Sequence, residues 1–94
     1  MTRTHKTEIR NWRITFRNNV HMYCHSLSAE KNETKFDIPC EDLPEKERMM
    51  GIWIEDLKTS EETKRDLSQA MFTLAKELDY QCRVYLGEET LSSE

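Results

Sequence analysis

The sequence predicts an α+β domain in which a small antiparallel sheet packs one face on one amphipathic helix. Three stretches carry this expectation. Residues 59–78, TSEETKRDLSQAMFTLAKEL, have a start signal, an apolar stripe and a stop. Residues 11–16, NWRITF, and residues 81–86, QCRVYL, alternate apolar with polar side chains, the signature of a half-buried strand. The competing class is an all-α three-helix domain. The presence of only two glycines, Gly51 and Gly87, favours that alternative, because tight turns usually call for more.

Taken from the N-terminus, residues 1–7 read as a loose tail. Trp12, Ile14 and Phe16 would share one face of a first strand. Asn18-Asn19 is a turn signal, since asparagine tolerates positive φ. A second strand would run from Val20 to Leu27. A three-residue loop, Asn18 to Val20, pairs Phe16 with Met22 and Ile14 with Cys24. That register collects the apolar side chains on one face and leaves Arg13, Arg17, His21, Tyr23 and His25 on the other. A helical reading competes over the same residues, because Ile9, Trp12, Phe16, Val20, Tyr23 and Leu27 also recur at spacings of three and four.

Residues 28–35 are polar and loop-like, and KFDIP (35–39) reads as a short edge strand ending at its proline. Residues 41–50 suit a helical turn, with Pro44 near the start. Gly51 to Leu57, GIWIEDL, with Ile52 and Ile54 alternating, read as an extension of that helical turn or equally as a strand that leads into the helix. There Ser60 or Thr59 serves as N-cap, Glu61 and Glu62 favour the positive end of the helix dipole, and Leu67, Ala70, Met71, Leu74, Ala75 and Leu78 form one stripe. Cys82, Val84 and Leu86 face inward on a closing strand, and residues 87–94 read as an acidic tail.

Composition limits the functional classes. A 94-residue chain forms a single domain, here residues 1–94, and can bury enough surface to fold alone. No stretch approaches the apolar length of a membrane span, and the polar, basic start of the chain lacks the apolar run of a secretory signal. The three cysteines are widely spaced with no CxxC pair, which predicts reduced thiols in the cytoplasm. The net charge of −4 is uneven: residues 1–36 hold seven basic and three acidic side chains, and the remainder hold seven basic and fifteen acidic. Such a split points to two surfaces with different partners, or to one surface that meets the other in a second copy.

The constellations that could carry chemistry are thin. His21, Cys24 and His25, with Cys40 as a further candidate, have zinc-ligand types, but on a strand Cys24 faces away from both histidines, and no second CxxC or HxxxH completes a tetrahedral set. No nucleophile elbow and no glycine-rich phosphate loop occurs, so neither an enzyme nor a metal or cofactor site is expected. Phe72 lies off the helix stripe, and Trp53 lies opposite Ile52 and Ile54. Each is either the rim of a broad core or an anchor for a partner. Arg10, Arg13, Arg17, His21, Tyr23 and His25 combine cations with a stacking surface.

The expectation is therefore a small non-enzymatic protein-binding module or stoichiometric inhibitor. It would meet an acidic protein surface, or a second copy of itself, through Arg10, Arg13, Arg17, His21, Tyr23, His25, Trp53 and Phe72. Size and lack of motifs also fit the accessory proteins of viruses and mobile elements, by association alone. The alternative is a nucleic-acid-binding domain using the basic hairpin face.

Overall fold

The computed structural model describes residues 3–92. The expectations for Met1, Thr2, Ser93 and Glu94 lie outside the described residues. The elements are β1 (Thr4–Ile9), β2 (Trp12–His21), β3 (Cys24–Lys31), β4 (Thr34–Asp37), β5 (Cys40–Asp42), β6 (Met49–Trp53), α1 (Glu61–Glu77), β7 (Gln81–Tyr85) and β8 (Thr90–Ser92). The strands form one sheet in the order β1-β2-β3-β5-β6-β7-β8, with β4 pairing β3 beyond β5. The fold is α+β, one helix against a mostly antiparallel sheet. One pair departs from the antiparallel expectation. β6 and β7 are parallel, because α1 is the crossover that joins them.

The helix forms where its signals stand. Ser60 sits extended at φ −71°, ψ 158°, and its hydroxyl accepts from the Thr63 amide at 3.1 Å. At the other end Asp79 takes φ 60°. Arg48 covers the open carbonyls there, donating at 2.6 Å to both Leu78 and Asp79. Leu67, Ala70, Met71, Leu74 and Ala75 are buried as predicted, and Ser68 joins them by returning its hydroxyl to the Lys64 carbonyl at 2.8 Å.

The sheet supplies the facing surface from Trp12, Ile14, Phe16, Leu27, Ala29, Cys40, Met50, Ile52, Cys82 and Val84. Alternation along β2 is clean: Trp12, Ile14 and Phe16 point in while Arg13 and Arg17 are exposed. The predicted register is nevertheless wrong by five residues. Phe16 pairs with Leu27, not Met22, and Ile14 with Ala29, not Cys24. Burial decides this, since the longer hairpin places both Leu27 and Ala29 opposite the aromatic side of β2. The helical reading of residues 9–27 fails for the same reason.

Asn18-Asn19 is not the turn. Asn18, Asn19 and Val20 stand opposite the single residue His25 in a bulge, and the chain reverses at Met22-Tyr23. Three other segments also differ from expectation. Residues 28–35 are strand rather than loop, because Ala29 belongs to the core and Asn32 at φ 56° makes a second tight reversal. Residues 41–50 form no helical turn. Met49 and Met50 are buried and draw the chain into β6. Within the supposed tails, Thr4–Thr7 pair with β2, and Leu91 of β8 packs against the core.

Asp66 ties the helix to the β1–β2 reversal. It accepts from the Trp12 indole at 2.9 Å and from Arg10 at 2.6 Å. The Trp12 bond, then the Arg10 bond and charge, with Lys31 last, hold its carboxyl below the ordinary range against a partial burial that pushes it up.

Two predictions follow from these contacts. Leu74→Ala removes a side chain with no solvent exposure and should destabilise by about 2–5 kcal/mol on denaturant unfolding. A change of surface size would mean that the stripe does not face the sheet. Asp66→Ala strands the buried Trp12 N–H and should cost about 1–3 kcal/mol at neutral pH. A depressed carboxyl pKa adds stability that is fully present above the unfolded-state value of about 4 and is lost as pH falls through the lower folded value. Acid titration of the unfolding midpoint should therefore show a shallower fall in the variant than in the parent, and parallel curves would refute the role given to Asp66.

Candidate functional site

The predicted surface does not assemble in one place. Arg13 and Arg17 do share the outer face of β2, the side away from α1. Both are engaged by neighbours there, Arg13 by a carboxylate and Arg17 by a neutral hydroxyl. Arg13 pairs with Glu30 at 2.8 Å, Arg17 donates to the Thr4 hydroxyl at 3.2 Å, and Glu8 and Asp37 lie among Lys6 and Lys35 in the adjoining strand positions. Arg10 is on the helix side, committed to Asp66. Trp53 stacks on Tyr85 with centroids 4.9 Å apart, on the outer face at the other end of the sheet. Gly51 permits this: a Cβ there would lie 2.7 Å from the Trp53 ring. Phe72 is half-buried against the edge of the core.

His25 is the clearest misplacement. Expected on an exposed face, its side chain is fully buried, tilted at 44° against Phe16 with centroids 5.1 Å apart and edge-on to Tyr80 at 6.3 Å. The five-residue register error moves it from the outer to the inner side. Its hydrogen bonds define its tautomer. The Asn19 amide donates to Nδ1 at 2.9 Å, so Nδ1 carries no proton, and Nε2–H donates to Asp42 at 2.7 Å. A carboxylate orienting an imidazole is the arrangement of a general base, but the nitrogen that would take a proton is already bound by a backbone N–H. The pair acts instead as a brace. Asn19 extends it, donating from Nδ2 to Asp42 at 3.1 Å and to the Met22 carbonyl at 3.0 Å.

What this brace holds up is the β2–β3 reversal. Val20, Met22 and Tyr23 are the exposed large hydrophobic residues of the described chain, at 44%, 72% and 68% exposure, and they fall within four positions. Met22 holds φ 55°, a backbone state that a non-glycine residue adopts at a cost. Beside the tip runs a groove of about 410 Å³ between Tyr23 and the 43–48 segment, floored by Met49 and Tyr80 and walled by Leu43 and Pro44. Burial, and then the Asp42 charge, raise the Tyr80 pKa despite the Arg48 guanidinium lying 4.5 Å from its ring. Of the predicted set only Tyr23 and His21 lie at this tip. Val20, Met22, Leu43 and Pro44 were missed. The signal was present in the clean alternation of residues 24–31, which fixes the β3 face and with it the reversal at 22–23.

A larger cleft of about 760 Å³ opens between α1, the β1–β2 reversal and the β3–β4 hairpin. Most of its charged wall is paired within the chain, Arg10 and Lys31 with Asp66 and Arg65 with Glu89, which leaves Glu62 as its other charged lining residue. Among the described residues no group of three or more His, Cys, Asp and Glu side chains is placed to hold a metal ion. Cys24 points away from His25 and donates to Glu41 at 3.6 Å. Desolvation, and then this bond, raise its pKa, so it is held as the thiol. No described helix is long and apolar enough to cross a membrane. Comparison with protein-family models, curated proteins and solved structures finds no match to the chain.

His25→Phe tests the brace. It keeps the ring volume and deletes both hydrogen bonds, leaving the Asn19 N–H and the Asp42 carboxylate short of partners. The expected loss is about 1–3 kcal/mol, with faster amide exchange at Asn19 and through residues 20–23. Unchanged exchange at the tip would show that the bulge is held by something else.

Proposed function

We propose that the chain is a non-enzymatic protein-binding module that grips a partner with the β2–β3 tip and its adjoining groove. The observation that carries this reading is the clustering of Val20, Met22 and Tyr23, exposed and braced from below by Asn19, His25 and Asp42. Tyrosine and methionine are enriched in interface cores, and tyrosine offers a large contact area with few torsions to freeze. A tip that is ordered before binding avoids part of the entropy cost of association. The partner suited to it has an apolar pocket for Met22 and Tyr23 and a short apolar ridge that fills the groove against Leu43 and Pro44. The three free thiols suit a reducing compartment, so we place the module in the cytoplasm. A stoichiometric inhibitor is one form such a module takes.

The basic outer face supports nucleic-acid binding less well. Lys6, Arg13, Arg17 and Lys35 are interleaved there with Glu8, Glu30 and Asp37, so the cations form no uninterrupted stripe for phosphates.

A photo-crosslinking residue placed at position 22 should capture one protein in cells of the source organism. The same residue at Thr15 on the outer face, or at Glu62 in the large cleft, should not. Tyr23→Ala should weaken binding of the captured protein by about tenfold or more while leaving the fold intact. Equal capture from all three positions, or indifference to Tyr23→Ala, would remove the tip from consideration. Salt-sensitive binding of labelled duplex or single strands that is lost in Arg13→Glu with Arg17→Glu would instead support the nucleic-acid reading.

A further inference from the structure

Among the described residues β1 is an edge strand with a neighbour, β2, on one side only. Its ladder phase is fixed by the Asn18 amide donating to the Arg3 carbonyl at 3.2 Å. In an antiparallel pair the bonded positions alternate, so His5, Thr7 and Ile9 turn their backbone groups toward β2. Thr4, Lys6 and Glu8 turn theirs outward. The Ile38 amide bonds to the Leu27 carbonyl on the far side of β3, as the same phase requires two strands away. β1 therefore presents a six-residue edge of unpaired donors and acceptors, a ready template for another strand. The opposite edge, β8, is only three residues long.

We infer that β1 pairs antiparallel with β1 of a second copy of this chain, about a two-fold axis through Thr7, giving one continuous sheet across the dimer. Two conditions select the register. Outward-turned residues must meet outward-turned residues, which removes every register centred between two residues. Like charges must not face each other, which removes the register centred on Lys6, where lysine meets lysine, and the one centred on Glu8, where glutamate meets glutamate. Centring on His5 leaves Glu8 and Ile9 without partners. Centring on Thr7 sets Lys6 of each copy directly opposite Glu8 of the other, in bonded pairs that exchange both N–H···O contacts.

Both side chains are exposed on the outer face, clear of the helix. Lysine on an edge strand ordinarily discourages pairing. Here Lys6-Thr7-Glu8, with opposite charges either side of the axis, gives each ammonium a carboxylate directly across the new ladder. On the helix side each copy keeps its own Glu77, which holds His5 at 2.9 Å and the Thr7 hydroxyl at 3.5 Å. One strand pair is a small interface, so the dimer is of the dissociating kind. This inference uses the β1 edge and not the hairpin tip, and its failure would leave capture from position 22 unaffected.

Sedimentation equilibrium across concentrations up to about 1 mM, the range that resolves a weak dimer, tests the pairing. The parent chain should approach twice the monomer mass at the top of the range. Lys6→Glu alone and Glu8→Lys alone each create like-charge pairs and should raise the dissociation constant by about tenfold or more. The double variant Lys6→Glu with Glu8→Lys restores opposite charges and should regain parental association. In the parent, amide exchange at Lys6 and Glu8 should slow as concentration rises, while His5 and Thr7 stay protected throughout. A parent chain that remains monomeric, single variants that associate normally, or a double variant that fails to recover would each overturn the inference. So would exchange at Lys6 and Glu8 that ignores concentration.

Discussion

Everything in this molecule turns on one apolar helix face having to serve a whole sheet. α1 offers Leu67, Ala70, Met71, Leu74 and Ala75, and its side chains reach both edges: Glu77 holds His5 of β1, and Arg65 holds Glu89 just before β8. From β1 to β7 there are five strand spacings, roughly 24 Å if the sheet were flat. A helix with its side chains is only about 10–12 Å across. The sheet must therefore coil around the helix. Ile9 of β1 and Val84 of β7 meet in one core because it does. The burial pattern follows from that geometry. Each strand turns its apolar side to the concave face and leaves the convex face polar, except where Trp53, Tyr85 and Met49 form a small patch under Leu43.

The β2–β3 hairpin is longer than the helix can cover. Beyond Phe16 the strands leave the shelter of α1, and the core gives way to a polar brace. The bulge at Asn18–Val20 is where that change occurs. It aims the Asn19 amide at His25 and lets one buried imidazole satisfy a backbone donor and a carboxylate together. A buried histidine without both partners would be a liability. With both, it is the polar continuation of the Phe16–Tyr80 aromatic layer. Arg48 plays a similar part lower down, joining the helix C-terminus to the β5–β6 connection through the Leu78 and Asp79 carbonyls.

Where the sequence was readable, it was so for local reasons. The α1 cap, its stripe and the β7 alternation are short-range patterns, and each stands where it was expected. The β2–β3 register is not local. Asn18-Asn19 has the stronger turn chemistry, yet Met22-Tyr23 makes the reversal, because tertiary burial of Leu27 and Ala29 outweighs turn propensity. One shift of odd length then moved His25 to the inner side and removed it from the expected basic face. β1 and β8 were hidden for a different reason. THKTEI and TLS are strands only because an existing sheet offers them an edge. The parallel β6–β7 pair depends on which strands become neighbours, a long-range outcome; once they are parallel neighbours, the chain between them must cross over, and α1 does so.

The tip at residues 20–23 combines positive φ with exposed apolar side chains, whereas the other non-glycine residues at positive φ, Arg10 and Arg48 among them, are polar. A reversal is usually built from residues that accept positive φ without strain and that welcome water. Met22 does neither, standing at φ 55° with most of its side chain in solvent. One exposed apolar residue on a small domain is ordinary. Here three stand within four positions, one of them at positive φ, above the hydrogen-bonded Asn19–His25–Asp42 network. Asparagine or glycine at position 22 would ease the backbone and remove apolar surface from water, with no core contact given up. The strain at Met22 is met by no core contact of its own, and the contacts that keep it in place come from the fold beneath it.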